Sequence, residues 1–440
     1  MIFQDSIVAL SSGHLPSGIA IIRITGPKTR FALETINGSV PKPRFAHYGK
    51  FRSRDGSVLD SGISLFFPGP KSFTGEDSAE FHVHGGRAVV SAMMQAIGEL
   101  DGFRQAEPGE FTRRAFLNGK VDLVEAEALA DLVSAETEAQ RRFAVLNSEG
   151  RQSELYQAWR TRLIHDRAMI EAEMDFSDES DVPGSVSSAV WADIDLMIEE
   201  IELHLQGFRK AEIIRDGYDV VIVGAPNAGK SSLLNALARR DVAIVTDEPG
   251  TTRDLVEVAL ELDGVKVRLT DTAGIRETSG KVELIGIEKA RQKISAADAV
   301  LYLEDLGDPK RLAPDEIPSG SIRIGTKADL SGHHIEENAY DLLVSTETGE
   351  GIVALLALLS GRAVVEIGSA GDVLPSRQRH VELLGATADF LKSCRSLPTA
   401  DLELRSEHLR LASDRLGRIS GAVDPEDLLD VIFSQFCIGK

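Results

Sequence analysis

The sequence predicts a multidomain α/β protein with an N-terminal α+β domain and a discontinuous helical domain, into which a nucleotide-binding domain is inserted. Three observations support this fold class. Strand-like runs separated by Gly and Pro occupy residues 1–119, a helical apolar period begins at Val121, and a phosphate-binding loop covers residues 224–231. With 440 residues, the chain is long enough for two or three domains that each bury a core.

The first 119 residues alternate short apolar runs with turn residues. The pattern predicts strands at 19–24, 63–67 and 80–83 and one helix at 88–100. A few strands with a helix on one side predict a compact α+β domain.

Two stretches on either side of the central segment have a helical pattern. The first covers 120–216: apolar residues recur from Val121 to Leu146 at helical spacing, and further helices are expected at 153–174 and 189–208, interrupted at Pro183-Gly184. The second covers 366–440, with helices expected at 376–397 and 402–416 and a helix start at 424–427. We interpret the two stretches as one discontinuous domain, and independent tandem domains are the alternative.

Residues 224–231 read Gly-Ala-Pro-Asn-Ala-Gly-Lys-Ser, the pattern of a loop that binds phosphate. An apolar run precedes the loop and a helical pattern follows it, so that backbone N–H groups and a helix N-terminus face the anion. Lys230 is expected to reach the outer phosphates and Ser231 to ligate Mg²⁺. A central Ras-like P-loop GTPase domain is therefore predicted at 217–365.

Four further signatures follow in the order that a guanine-nucleotide site requires. Residues 249–254 are expected to form a first switch, in which Thr252 completes the Mg²⁺ shell. Asp271-Thr-Ala-Gly274 is expected to form a second switch, in which Asp271 holds the metal through water. Asp329 suits the two N–H donors of the guanine edge, and Ser345-Thr346 fits the last loop that contacts the base. The residues predicted to bind GTP are Asn227, Ala228, Gly229, Lys230, Ser231, Ser232, Thr246, Asp247, Glu248, Pro249, Gly250, Thr251, Thr252, Asp271, Thr272, Ala273, Gly274, Thr326, Lys327, Asp329, Ser345 and Thr346.

Two departures from common GTPases affect the predicted mechanism. Thr326 stands where most GTPases have Asn, and Ile275 stands where Ras-like proteins have the Gln that orients water. Another positive charge is then needed beside the phosphates. Asn227 and the loop 246–252 predict a monovalent-cation site, and the alternative is that Asn227 only braces the loop.

Composition limits the partners and the compartment. The net charge of −21 argues against a broadly basic surface, so that nucleic acid is expected to bind a local patch or arrive with a partner. Two cysteines predict no disulfide framework and a reducing compartment, which we take to be the cytoplasm. The N-terminus has no cationic start or long apolar run, and we expect no membrane span.

From end to end, the chain resembles the MnmE/TrmE family of tRNA modification GTPases. The resemblance rests on the central GTPase series and on motifs at both ends of the chain: residues 18–26, Phe73-Thr-Gly-Glu-Asp77, His84-Gly-Gly86, residues 108–112, residues 115–120, and Cys437-Ile-Gly-Lys440. Ribosome-assembly GTPases share only the central module.

The resemblance implies a specific activity. Family members work with an FAD-dependent MnmG/GidA-type enzyme, forming a heterotetramer from a homodimer, and place an aminomethyl or carboxymethylaminomethyl group on C5 of the wobble uridine of certain tRNAs. The one-carbon unit comes from a reduced folate, 5-formyl- or 5,10-methylene-tetrahydrofolate. The implied folate contacts are Arg23, Glu80, Lys120 and Lys440, with cations on the glutamate tail and the carboxylate on the pterin N–H donors.

The resemblance also implies K⁺ activation and face-to-face closure of two GTPase domains. Asn227, Thr246, Glu248 and Thr251 are the implied K⁺ ligands, and a carbonyl at 248 serves although Glu248-Pro249 departs from the expected apolar-small pair. The implied catalytic residues are Glu283, which orients water, with Lys230 and Thr252.

Several assignments remain open at this stage. A regulatory or ribosome-associated GTPase without a modification role is the alternative function. Glu283 alone is also compatible with a solvated carboxylate at a helix start, and Arg253 and Arg276 with exposed charge. Cys437 is either a nucleophile or a residue that positions the tail. His82 and His84 share a strand face, and ordinary packing is expected there rather than a zinc site.

Overall fold

The computed structural model describes residues 3–175, 186–244, 257–271, 292–308, 319–330, 339–368, 371–398, 401–423, 429, 432–434, 436 and 439. It separates into two compact units. Unit one comprises Met1–Ala130, Asn147–Ile198 and Ala386–Lys440, and unit two comprises Asp131–Leu146 and Glu199–Gly385. Among the described residues, no helix combines the length and apolar character needed to cross a membrane.

The N-terminal part of unit one is a six-stranded, mainly antiparallel sheet with helices against it. The sheet has the strand order β3-β4-β5-β2-β1-β6, and β1 and β6 are parallel. Its elements are β1 (Ser6–Leu10), β2 (Ser17–Thr25), α1 (Thr29–Asn37), β3 (His47–Arg52), β4 (Val58–Phe67), β5 (Ser78–Gly85), α2 (Arg87–Gly98), β6 (Phe103–Gln105) and α3 (Glu110–Leu117). The three predicted strands and the predicted helix are present within this α+β fold.

Two helices of this region were not predicted from the sequence. The helix α1 has only nine residues, and α3 has eight and starts directly after Pro108-Gly109, so neither presents a long apolar period. Both nevertheless bury one side. Ala32, Leu33 and Ile36 of α1 join the core under the sheet, and Phe111 of α3 packs with Ile7 and Ala9 of β1.

The helical region contains α4 (Leu123–Ser134), α5 (Glu138–Ser148), α6 (Arg151–Asp175), α7 (Val186–Gln206) and α8 (Phe208–Asp216). The apolar period from Val121 to Leu146 is interrupted between α4 and α5. The Gln140 side chain accepts hydrogen bonds from the N–H groups of Glu136 (2.8 Å) and Thr137 (3.1 Å), and the Gln140 N–H donates to Thr137 Oγ1 (3.5 Å). This reciprocal capping starts a new helix without Gly or Pro.

Helices that precede and follow the central segment pack together within unit one. After the central sheet come α11 (Gln378–Ser396) and α12 (Leu402–Ser420). The Ser406 hydroxyl of α12 donates to Glu171 Oε1 of α6 (2.9 Å), and Arg395 donates to Asp195 Oδ1 of α7 (2.6 Å). These contacts confirm a discontinuous helical domain rather than independent tandem domains. The expected interruption at Pro183-Gly184 and the expected helix start at 424–427 lie outside the described residues.

Unit two contains the second six-stranded sheet, with the order β12-β11-β10-β7-β9-β8. All neighbouring strands are parallel except β8 and β9. Its elements are β7 (Tyr218–Gly224), α9 (Lys230–Ala238), β8 (Glu257–Leu262), β9 (Val265–Asp271), β10 (Ala299–Asp305), β11 (Ile322–Thr326), β12 (Leu342–Val344) and α10 (Ile352–Ile367). The strands predicted to carry the nucleotide motifs, β7, β9, β11 and β12, are therefore all present.

Candidate functional site

The phosphate-loop motif lies between β7 and α9, as its sequence predicts. Gly224 has φ +157° and a Cβ there would lie 2.4 Å from the Leu303 carbonyl oxygen, so a larger residue does not fit. The Lys230 ammonium is buried and donates to the carbonyl oxygens of Gly224 and Ala225, each at 2.9 Å. The loop is thus closed around its own lysine, which is the first residue of α9.

The serine after Lys230 contacts the end of the neighbouring strand. Ser231 Oγ donates to Asp271 Oδ2 at 3.0 Å, and Asp271 is buried at the carboxyl end of β9. The structure therefore brings together the two side chains that the sequence assigned to the Mg²⁺ side of the site. A hydroxyl beside a carboxylate offers the hard oxygen ligands that Mg²⁺ prefers.

Thr326 supports the phosphate loop through its hydroxyl. Its Oγ1 lies 2.8 Å from the Ala228 carbonyl oxygen and 3.1 Å from that of Glu304, and the side chain is buried. Asn at this position is expected to contact both the base and the loop. Thr326 retains the contact to the loop, and its short side chain does not provide the contact to the base.

The remaining base-side residues meet at the ends of β11 and β12. The buried Ser345 hydroxyl donates to Asp329 Oδ1 at 2.5 Å, and Lys327 Nζ lies 2.5 Å from Asp305 Oδ2. Lys327 adopts φ +58°, which turns the chain between the strand and Asp329. The Asp329 carboxylate is oriented by Ser345, and Thr346 follows at the partly buried end of this loop.

Asn227 stands exposed at the top of the phosphate loop with φ +68°. Asn tolerates this left-handed conformation better than most residues. Within the part of the chain that the structure describes, its side chain makes no hydrogen bond, so the bracing interpretation has no support there. Its amide oxygen is available to a cation.

A second group of predicted residues lies on the N-terminal sheet. Arg23 of β2 and Glu80 of β5 are cross-strand partners, and Arg23 Nε and Nη2 donate to Glu80 Oε1 at 3.1 and 3.0 Å. His82 Nε2 lies 3.3 Å from the other carboxylate oxygen of Glu80. Arg23 therefore orients one carboxylate oxygen of Glu80, and His82 orients the other.

Arg23 and Glu80 line a cavity of about 240 Å³ beside the loop that carries the Phe73-Thr-Gly-Glu-Asp77 motif. Thr74 belongs to the cavity wall, and the Asn118 side chain donates to the Thr74 carbonyl oxygen at 2.7 Å. A Cβ placed on Gly75 would lie 3.3 Å from Lys120 Cε. The motif loop thus runs between the cavity and Lys120.

Gly439 contacts the same sheet. Ser11 Oγ donates to the Gly439 carbonyl oxygen at 2.8 Å, and a Cβ on Gly439 (φ +98°) would lie 2.3 Å from the Leu10 carbonyl oxygen. Leu10 pairs with Ile22, next to Arg23 in β2. The residue before Lys440 is therefore held at the strand that neighbours Arg23.

A buried ionic network around Arg114, which the sequence did not indicate, holds the motif loop in place. Arg114 of α3 is fully buried and donates to Glu76 Oε2 (3.2 Å), to Glu110 Oε1 (2.9 Å) and to Asp5 Oδ1 (2.9 Å). Burial raises the pKa of the Glu76 carboxyl, and Arg114 opposes that rise. Three carboxylates around one guanidinium hold the loop against α3.

The two histidines of β5 are engaged with carboxylates, and the described cysteine is buried. His84 Nδ1 lies 2.8 Å from Asp60 Oδ1, and His82 is engaged with Glu80. Among the described residues, no three His, Cys, Asp or Glu side chains are grouped to hold a metal ion. Cys394 is buried, and burial raises its pKa to about 11, which makes this thiol unreactive.

Several predicted residues lie outside the described residues. These are Thr246, Asp247, Glu248, Pro249, Gly250, Thr251, Thr252, Arg253, Thr272, Ala273, Gly274, Arg276, Glu283, Cys437 and Lys440. Their roles stay predictions.

Comparison with known protein families identifies the chain. A family model described as the MnmE helical domain matches residues 123–437, and one described as the GTP-binding protein TrmE N-terminus matches residues 6–120. The chain belongs to the MnmE family. A tRNA modification GTPase MnmE from Mesorhizobium japonicum is 64% identical over 443 residues, covering 100% of both chains. The protein of the same name from Brucella anthropi is 58% identical and covers 99% of this chain and 98% of its own.

Proposed function

We propose that the chain is a K⁺-activated GTP hydrolase that acts in tRNA modification. With an FAD-dependent MnmG/GidA-type partner, it would install an aminomethyl or carboxymethylaminomethyl group at C5 of the wobble uridine of certain tRNAs. The main support is full-length similarity at 64% identity to a tRNA modification GTPase. The geometry of the phosphate loop, with Lys230 at its centre and Thr326 beneath it, agrees with nucleotide binding.

The residues around the phosphate loop suit GTP and Mg²⁺. Lys230 has to leave two carbonyl oxygens to meet the outer phosphates, and Ser231 has to leave Asp271 to face a metal ion. Each contact is an ordinary hydrogen bond, so that the exchange costs little. Asp329, oriented by Ser345, would accept the two N–H donors of guanine.

Hydrolysis needs a group other than the missing Gln to position water. We assign that role to Glu283 and the Mg²⁺ shell to Ser231 with Thr252. For K⁺, the proposed ligands are Asn227, Thr246, Glu248 and Thr251. K⁺ would supply positive charge beside the phosphates, where other GTPases use an arginine. The exposed Asn227 amide, which makes no described hydrogen bond, supports this assignment.

The N-terminal cavity suits part of a reduced folate. Folate has a donor edge on its pterin ring and carboxylates on its glutamate tail, and the cavity offers one oriented carboxylate and several cations. Arg23, Glu80 and Lys120 lie around the motif loop, and Gly439, which precedes Lys440 in the sequence, contacts Leu10 of β1 and Ser11. When bound, 5-formyl- or 5,10-methylene-tetrahydrofolate would supply the one-carbon unit.

The organisation that accompanies this function is also proposed. We divide the chain into a folate-binding and dimerisation domain (1–119), two helical parts (120–216 and 366–440) and the GTPase domain (217–365). We further propose a cytoplasmic homodimer that joins two flavin partners in a heterotetramer. Closure of the GTPase domains during hydrolysis would then move the helical parts that flank them.

The test is reconstitution of the modification. The purified chain, the flavin partner, GTP, reduced folate, the amine donor and unmodified tRNA are combined, and wobble uridine is analysed by mass spectrometry. We expect a mass gain at C5 that requires both proteins and is lost with Lys230→Ala. Hydrolysis of GTP with no change in uridine under every donor condition would instead favour a regulatory or ribosome-associated GTPase.

A further inference from the structure

The cavity beside Arg23 and Glu80 has more positive charge than the predicted folate contacts account for. Besides Arg23, its wall contains Arg44 and Lys71, so that three cations face one carboxylate. Phe73 stands at the same wall with 42% of its surface exposed. A small cavity with an aromatic edge and excess positive charge suits an aromatic acid.

Although Arg44 is exposed, its backbone conformation and its hydrogen bonds fix its position in the cavity wall. Arg44 has φ +62°, a conformation that non-glycine residues adopt at a cost. Its N–H donates to the Phe66 carbonyl oxygen at 2.8 Å, and its guanidinium donates to the carbonyl oxygen of Lys71. Both ends of Arg44 are thus tied to the 66–71 turn, and the other guanidinium N–H groups stay available.

The charges of Arg44 and Lys71 are not neutralised locally. Neither side chain forms an ion pair with any carboxylate of the residues that the structure describes. By contrast, Arg23 is engaged with Glu80, and Arg30 pairs with Asp77 at 2.7 Å. Two adjacent cations without an acid partner attract an anion from outside the protein.

The size of the cavity limits what enters it. At about 240 Å³, it is smaller than the range typical of sites that enclose a whole drug-sized ligand. A reduced folate joins a pterin, a benzoyl ring and one or more glutamates, and only a part of it fits. The excess positive charge of the cavity wall favours the glutamyl end of the folate, which carries the carboxylates.

We propose that Arg44 and Lys71 form a subsite for the carboxylates of the glutamyl tail of folate, with the benzoyl ring against Phe73. This inference rests on the proposed folate-binding function and adds two residues to it. In this arrangement Glu80 lies toward the pterin side, where Arg23 and His82 orient it. A longer γ-linked tail brings more carboxylates to the exposed Arg44 and Lys71, so that folates with several glutamates bind more tightly.

The experiment measures binding of three ligands to the full-length chain by calorimetry. The ligands are 5-formyl-tetrahydrofolate with one glutamate, the same compound with three glutamates, and a 5-formyl-tetrahydropterin without a tail. The variants are Arg44→Gln with Lys71→Gln, and the charge-preserving pair Arg44→Lys with Lys71→Arg. Lys50→Gln, an exposed cation of β3 outside the cavity wall, is the matched control.

We expect the triglutamate to bind the unmodified chain about tenfold more tightly than the monoglutamate. The double Gln variant should lose this preference and bind the triglutamate on the order of tenfold to a hundredfold more weakly. The charge-preserving pair should retain most of the preference, and the control all of it. Affinity for the tail-less pterin should stay the same in every variant.

Three results would overturn the subsite. The first is equal affinity of the unmodified chain for the two tail lengths, and the second is an equal loss for folate and for the tail-less pterin. The third is that no folate binds the unmodified chain, which would remove the proposed folate function as well. The thermal unfolding transition of each variant, followed by circular dichroism, verifies that the N-terminal domain is folded, because GTP hydrolysis reports only on the nucleotide site in unit two.

Discussion

The buried carboxyl of Asp166 makes the stability of the helical bundle in unit one depend on pH. Asp166 of α6 faces Asp193 of α7, to which Arg162 donates hydrogen bonds at 2.7 and 3.1 Å. Burial, and then the charge of Asp193, raises the pKa of Asp166 from 3.8 to about 7. Arg162 lowers the pKa of Asp193, with His165 acting in the same direction. Asp166 therefore keeps its proton and shares it with Asp193 below neutral pH.

The sign of the effect follows from the proton count. Between about pH 4 and 7, the folded bundle holds a proton that the unfolded chain releases, so its stability falls as pH rises. The stability that this proton contributes is fully present below the pKa of Asp166 in the unfolded chain. It is lost as pH rises through the pKa of Asp166 in the folded bundle. A rise of about three units, at about 1.4 kcal/mol per unit, sets an upper limit of about 4 kcal/mol. Roughly 2 to 3 kcal/mol of that is lost between pH 5 and pH 8.

The perturbation is Asp166→Asn, which keeps the shape and removes the titration. Hydrogen exchange of peptides from α6 and α7, corrected for the intrinsic pH dependence, gives the local opening free energy. Relative to the unmodified chain, we expect the variant to gain about 2 kcal/mol on going from pH 5 to pH 8. Asp195→Asn, an exposed carboxylate on α7, is the control. If the free-energy difference between the variant and the unmodified chain is the same at pH 5 and at pH 8, Asp166 does not titrate in this range in the folded bundle.

Three further predictions concern the two sites. Thr326→Val removes the hydroxyl under the Ala228 carbonyl oxygen, and we expect GDP affinity, measured with a fluorescent analogue, to fall about tenfold. Gly439→Ala places a methyl group 2.3 Å from the Leu10 carbonyl oxygen, so that the tail is displaced and titration shows weaker folate binding with unchanged GTP hydrolysis. Glu283→Ala should spare nucleotide binding and slow single-turnover GTP hydrolysis by at least about a hundredfold.

Each of these has its own control and opposing result. Thr326→Ser keeps the hydroxyl and should restore affinity, and a Val variant that binds GDP normally would show that the contact to the loop is dispensable. Deletion of Lys440 should reproduce the effect of Gly439→Ala, whereas unchanged folate affinity in both would exclude the tail from the site. An unchanged single-turnover rate in Glu283→Ala would remove Glu283 from hydrolysis.

The nucleotide-binding fold was predictable because its chemistry restricts the residues. Phosphate binding requires Gly224 and Lys230 at the end of one buried strand, and guanine binding requires Asp329 after a second strand. Each motif therefore predicts the strand that precedes it. The strands β7, β9, β11 and β12 follow from this. Short helices such as α1 have no comparable restriction, because a nine-residue helix is stabilised by its tertiary contacts rather than by its own pattern.

The N-terminal site was predictable only in part. Arg23 and Glu80 follow from the family resemblance, and their pairing across β2 and β5 depends on strand register, which the sequence does not state. Arg44, which has a left-handed backbone conformation, and Lys71 line the same cavity as Arg23 and Glu80. No sequence signal indicates that these four residues lie together. His82 was expected to pack, and the structure places it on Glu80.

The proposed mechanism is that of a potassium-dependent GTPase that operates without the usual Gln. GTP hydrolysis by the purified chain is measured in K⁺ and in Na⁺ at equal ionic strength, with dimer closure followed in parallel. We expect strong stimulation by K⁺, together with loss of the stimulation in Asn227→Ala. Equal rates in the two salts would contradict it, since the charge that offsets the transferring phosphoryl group would then have no source at Asn227.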